Sequence, residues 1–169
     1  MKMAKQTVPQ RRKRAQRKIV PKTLNYALTD RFAGHLVRVV QVRMFQLYYE
    51  RLGGLGVSPG AFAALTAIQS NPGIPHGALT DALAAHGPNV TKLVDKLVRD
   101  GWVERRSLPK DGRTRGHFLT AAGRAKAEAA VKAGLAHDRF ATSSLTATER
   151  ASLLRLLAKL DRALAAKSP

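Results

Sequence analysis

The chain has 169 residues, 44% of them apolar, and a formal charge of +19 from 30 Lys and Arg against 11 Asp and Glu. That size and apolar content suffice for one domain, or one domain with a dimerisation element. The absence of cysteine excludes disulfides and thiol redox chemistry, and the charge points to a polyanionic partner, nucleic acid ahead of an anionic membrane surface.

Nine basic residues lie within positions 1–22 with no acid among them, which leaves 21 basic against 11 acidic residues in the remainder. A segment so poor in large apolar residues cannot form a core, and 1–22 reads as a basic arm, disordered when free. It is either a solvated tail or an arm that follows phosphates or enters a flanking minor groove. No apolar run approaches a membrane span, and no signal-peptide core follows the N-terminal charges. The expected location is cytoplasmic and nucleoid-associated, with no membrane partner.

From Asp30 to Arg51 the pattern is helical, with Thr29 as N-cap and Phe32, Leu36, Val39, Val40 and Leu47 forming an apolar side. Arg31, His35 and Arg38 at i, i+4 and i+7 form a basic stripe beside it. Gly53-Gly54-Leu55-Gly56 ends this helix. Ser58 as N-cap and Pro59 at the first helical position open the next, which runs to about Ser70 before Asn71-Pro72-Gly73. A short helix follows from His76 to Ala84.

The following segment is the most informative. Val90, Leu93, Val94, Leu97 and Val98 recur at helical spacing and face inward, while Asn89, Lys92, Lys96 and Arg99 occupy the exposed side. A helix of that composition suits a DNA major groove, its side chains against bases and phosphates. Asp100-Gly101 stops it, with the glycine at the position that tolerates a left-handed backbone. Trp102–Leu108 reads as a strand, 109–112 as a turn and Thr114–Leu119 as the returning strand. Arg105, Arg106, Lys110, Arg113 and Arg115 make this hairpin basic, which favours phosphate.

Thr120 caps a helix to about Ala141, and Thr146-x-x-Glu149 is a capping box opening the last helix. That helix carries Leu153, Leu154, Leu156, Leu157, Leu160 and Leu164, more apolar surface than one small domain easily covers. A partner subunit would cover it, although some of these leucines could fold back on their own core.

Two enzyme-like signals find no support. Gly56-Val57-Ser58-Pro59-Gly60 matches a nucleophile elbow in letters, but a helix and a glycine loop precede it where a strand is needed, and Ser58 already serves as N-cap. The five histidines show no i, i+4 pair or acidic companion at ligand spacing, so neither a metal nor another cofactor is expected.

The run Asn89-Val90-Thr91-Lys92-Leu93-Val94-Asp95-Lys96-Leu97, then Gly101-Trp102-Val103-Glu104-Arg105, Asp111-x-Arg113 and Leu119-Thr120-x-x-Gly123 resembles the signature of MarR-type (multiple antibiotic resistance regulator) bacterial transcription regulators. The resemblance covers about Asp30 to Lys167. It departs from the family pattern in the basic arm before Asn25 and in the spacer Ala84-Ala85-His86-Gly87-Pro88.

The resemblance implies a mainly α fold with a small β-hairpin wing: a winged helix-turn-helix whose N- and C-terminal helices form a dimerisation region. The implied division is an arm over 1–22, dimerisation helices over 23–57 and 121–169, and a DNA-binding region over 58–120. It also implies a homodimeric repressor that binds a palindromic double-stranded operator and is released by a small effector. On this reading Pro88, Asn89, Thr91, Lys92, Lys96, Arg99, Arg105, Lys110, Asp111, Arg113 and Arg115 form the DNA-binding set, with Asp111 steadying Arg105 or Arg115. The effector pocket maps onto Phe32, His35, Leu36, Arg38, Val39 and Phe62, a composition suited to an aromatic acid or an aromatic acyl-coenzyme A thioester. Charge alone also allows a sequence-neutral, architectural nucleic-acid-binding protein.

Overall fold

A computed structural model describes residues 28–108 and 111–167, apart from the side chains of Asp30 and of residues 111–113. The arm over 1–22, Lys110 and the side chains of Asp111 and Arg113 therefore lie outside the described residues. In chain order, a 3-10 turn (Thr29–Arg31) is followed by α1 (Ala33–Leu52), a second 3-10 turn (Gly53–Leu55), α2 (Pro59–Ser70), β1 (Ile74–Pro75), α3 (His76–Ala82) and α4 (Gly87–Arg99). Then come β2 (Val103–Leu108), β3 (Asp111–Leu119), α5 (Ala121–Ala141) and α6 (Ala147–Ala165). The chain divides into two compact units after Val37.

In the first unit the long helix does not begin at Asp30, and Thr29 is not its N-cap. Residues Thr29–Arg31 close a 3-10 turn, and Phe32 is extended, with φ −103° and ψ 114°, before α1 starts at Ala33. Arg31 consequently does not share one helix face with His35 and Arg38. Phe32 is 60% exposed, so it does not act as a core residue.

In the second unit, local chemistry sets most boundaries. The Ser58 hydroxyl accepts from Ala61 N–H at 3.2 Å and starts α2. Thr120 Oγ1 accepts from Gly123 N–H at 2.9 Å and starts α5. Thr146 and Glu149 cap α6 reciprocally. The core is built from Leu65 and Ile68 of α2, Leu79 of α3, Val90, Val94 and Leu97 of α4 and Val103 of β2, all buried. Ala127 and Ala130 of α5 complete it, their small side chains admitting a close helix.

Three backbone features knit the end of α4 to the wing and to α5. Gly101 at φ 74° reverses the chain; Trp102 N–H then bonds Leu97 O at 2.9 Å, and Thr120 N–H bonds Trp102 O at 3.1 Å. Gly123 lies so close to the Trp102 carbonyl that any Cβ there would collide with it.

The sheet has three antiparallel strands in the order β1-β3-β2, with Ile74 opposite His117 and Arg105 also opposite His117 on the other side. β1 is an element that the sequence pattern does not announce. The one available signal is weak: a residue before proline avoids the α region, and Ile74 precedes Pro75. α6 buries none of its residues, and its six leucines are exposed. They do not fold back on their own core.

Candidate nucleic-acid interface

α4 presents two faces because its apolar residues recur every three to four positions. Val90, Val94 and Leu97 anchor it in the core, which leaves Pro88, Asn89, Thr91, Lys92, Lys96 and Arg99 exposed on the other side. Its entry is set by Ala84, whose φ of 45° turns the chain between α3 and α4, and by Pro88 in the first turn. The spacer that departs from the family pattern therefore acts as the turn, with His86 as N-cap and Gly87 beginning the helix.

Thr91 is partly committed inside the protein. Its hydroxyl donates to Gly87 O at 3.1 Å and lies 3.1 Å from His76 Nε2, which ties the first turn of α4 to α3. Two cations of the DNA-binding set also hold acids: Lys96 pairs with Asp100 at 2.5 Å, and Arg105 of β2 pairs with Asp95 of α4 at 2.5 Å. The Arg105 guanidinium hydrogen-bonds Asp95 and so holds its carboxyl below the usual carboxylate range. The sequence suggests Asp111 as a partner for Arg105 or Arg115, and its side chain lies outside the described residues; among the described residues Arg105 pairs with Asp95, ten residues before it and on the helix.

Arg106 pairs with Glu104 and stacks over Phe118, 5.1 Å from the ring centroid. Among the described residues, Lys92, Arg99 and Arg115 have no ion pair, so their charge is free to meet a polyanion.

The wing is seated by His117, which is 2% exposed. Its Nδ1–H donates to Ile74 O at 2.9 Å, and its ring centroid lies 5.7 Å from that of His76. Burial pushes its pKa below the ordinary histidine value. Neither His117 nor the pair Asp95–Arg105 stands out in the sequence as a positioning element, because each depends on residues brought together across β1, α3 and α4.

The effector set falls on both sides of the division after Val37. In the first unit, Phe32 and Leu36 are exposed and His35 is half-buried; in the second, Arg38 is exposed, Val39 half-buried, and half-buried Phe62 packs against the core. A Cβ on Gly134 of α5 would stand 3.2 Å from the Phe62 ring, so a side chain there would require that ring to give by a few tenths of an ångström.

Residues 55–114 match a model of the MarR family. The chain is 32% identical to the multiple antibiotic resistance protein MarR of Escherichia coli over 128 residues, 75% of this chain and 89% of that protein. It is 30% identical over 107 residues to a putative transcriptional regulatory protein for the hcr operon of Thauera aromatica, a match spanning 63% of this chain and 64% of that protein's length. Among solved structures it is similar to the transcriptional repressor CouR bound to a 23-mer DNA duplex. The TM-score is 0.76 at 26% identity, covering 82% of this chain and 98% of the other.

Proposed function

The chain belongs to the MarR family of winged-helix, DNA-binding transcription regulators, and from that premise we propose that it is a homodimeric repressor that releases its operator when a small molecule binds. One observation supports base reading above the rest. α4 buries Val90, Val94 and Leu97 and holds Asn89, Lys92 and Arg99 outward beside a wing whose Arg115 has no ion pair among the described residues. Residues 58–120 are assigned to DNA reading, and 23–57 with 121–169 to dimerisation. In this reading the α4 helices of two subunits enter successive major grooves about one helical turn apart. Lys92, Arg99, Arg113 and Arg115 contact phosphate or the groove edge, and Arg105 acts through Asp95 to fix the wing against the helix. The effector assigned to Phe32, His35, Leu36, Arg38, Val39 and Phe62 is a small anionic aromatic, an aromatic acid or an aromatic acyl-coenzyme A thioester. Its class follows from the guanidinium, the imidazole and the apolar side chains in that set.

The test compares binding to a promoter fragment with binding to a scrambled duplex. Asn89→Ala and Lys92→Ala are each expected to weaken operator binding by about 1–3 kcal/mol where the side chain reads a base edge, with random DNA little affected. The charge of +19 favours one competing reading, a sequence-neutral architectural protein. Equal loss on both duplexes, or ready displacement from the promoter by unrelated DNA, would establish that reading instead.

A further inference from the structure

Thr91 is exposed near the start of α4, yet its hydroxyl is already engaged on two sides. A hydroxyl has one proton and two lone pairs. The proton goes to Gly87 O, one helical turn back, at 3.1 Å. In the second contact, with His76 Nε2 at 3.1 Å, the histidine N–H therefore donates and Thr91 accepts. With its proton committed, Thr91 has none to offer the guanine and thymine oxygens of a major groove.

Two bonds on one oxygen also fix the side chain. Threonine in a helix divides between two χ1 wells because its hydroxyl can reach a carbonyl one turn back. The bond to Gly87 O holds Thr91 in such a well, and the bond from His76, the first residue of α3, keeps the oxygen on the flank of α4 that faces α3. The Cγ2 methyl, on the other branch of Cβ, is what the side chain has left to present.

The neighbours make this lock firm. Asp95, one turn further along α4 and on the same flank, is held by Arg105 of β2. The His76 ring lies 5.7 Å from the buried ring of His117, which is bonded in turn to Ile74 O. The orientation of Thr91 thus rests on α3 and, through His117, on the sheet.

We propose that Thr91 reads thymine through its methyl group, set against the thymine C5 methyl in the major groove, and that His76 is the positioning residue that holds it so. The inference rests on the reading of α4 as the helix that enters the groove. An apolar contact of this kind separates thymine from uracil, which pairs identically and lacks only that methyl. Removing one buried methyl corresponds to about fourfold in affinity.

The experiment takes the operator duplex footprinted on a promoter fragment and replaces its thymines by uracil one at a time, with affinity for the full chain read by fluorescence anisotropy at fixed salt. The expected result is one thymine per half-site whose replacement weakens binding about fourfold. Thr91→Ser, which keeps the hydroxyl and loses the methyl, should bind the thymine and uracil duplexes alike at that position. Thr91→Val, which keeps the methyl and loses the hydroxyl, should retain the uracil effect. His76→Ala should shrink the effect, and adding Thr91→Val in that background should restore it, because a valine in a helix keeps one χ1 well unaided. Each uracil effect is a ratio within one protein, so a general loss of stability or affinity in a variant cancels. A parent chain indifferent to every uracil, or an effect that survives Thr91→Ser or vanishes in Thr91→Val, would overturn the methyl contact. An effect unchanged by His76→Ala would overturn the role of His76. Equal affinity of the parent chain for the promoter fragment and a scrambled duplex would overturn the operator reading itself, and this proposal with it.

Discussion

α4 and α6 have closely related sequence patterns and opposite surroundings. α4 holds Val90, Val94 and Leu97 at no more than 1% exposure, whereas α6 leaves Leu153, Leu154, Leu156, Leu157, Leu160 and Leu164 between 39% and 54% exposed. The difference is where the complementary surface lies. For α4 it is supplied by α2, α3 and β2 of the same chain; for α6, among the described residues, no surface of the chain covers the leucine face. An amphipathic stripe states that a partner surface exists, and only the tertiary structure states whether that surface is in the same chain. The reading head is therefore expected to hold its shape within one subunit, and the last helix to depend on association.

The largest expected effect lies on the α4 side. Leu97→Ala removes a side chain that is 1% exposed in the middle of the core and should cost about 2–5 kcal/mol in urea unfolding. Since the same residue's carbonyl anchors Trp102, operator binding should fall in step with stability. A cost below about 1 kcal/mol would mean that α4 is not seated in the head as the comparison requires.

The next effect is pH-dependent and also belongs to the head. Burial, with smaller contributions from His76 and Arg105, lowers the His117 pKa, and the bond to Ile74 O only partly opposes the shift. In the unfolded chain the imidazole titrates near its ordinary value of 6.5. As pH falls through that value, the unfolded state takes up a proton that the folded state refuses, so stability is full above it and declines below. Urea midpoints at pH 8 and pH 5.5 should differ in that direction, and the difference should shrink in His117→Gln. If that variant does not fold, direct NMR titration of His117 in the parent protein tests the same point. A midpoint that is flat or rises on acidification contradicts the seating of the wing by this residue.

How much of this is legible in the sequence follows the range of the interactions. The caps at Ser58, Thr120 and Thr146, the two faces of α4 and the turn at Gly101 depend on neighbours within a few residues, and they are readable. β1 is not, because a two-residue strand exists only through its pairing with Gly116 and His117. The start of α1 is misplaced by the extended Phe32, which interrupts an otherwise continuous helical pattern.

A smaller effect should appear at the junction of α4 and wing. Asp95 and Arg105 are partly exposed, so their ion pair contributes little to global stability. Asp95→Asn should leave the thermal midpoint nearly unchanged and weaken operator binding, because the wing loses its register on the helix. Arg105→Ala should do the same, and the double variant should be no worse than either alone. Additive losses would show that Arg105 touches DNA independently of Asp95.

The smallest effect on the single subunit is the one that bears most directly on the comparison. Leu157 is 43% exposed on α6, so in a dilute, dissociated subunit Leu157→Ala should change stability by no more than about 0.5 kcal/mol, as a surface substitution does. Its consequence should emerge with protein concentration. If two copies cover each other's α6, folding is linked to association, and the midpoint of the parent chain rises with concentration while that of the variant rises less. The measurement is a series of urea or thermal unfolding curves across protein concentrations, with sedimentation to follow the oligomeric state. A parent midpoint independent of concentration, or a Leu157→Ala loss as large as that of Leu97→Ala in the dilute subunit, would place the partner of α6 within the chain and erase the distinction between the two helices.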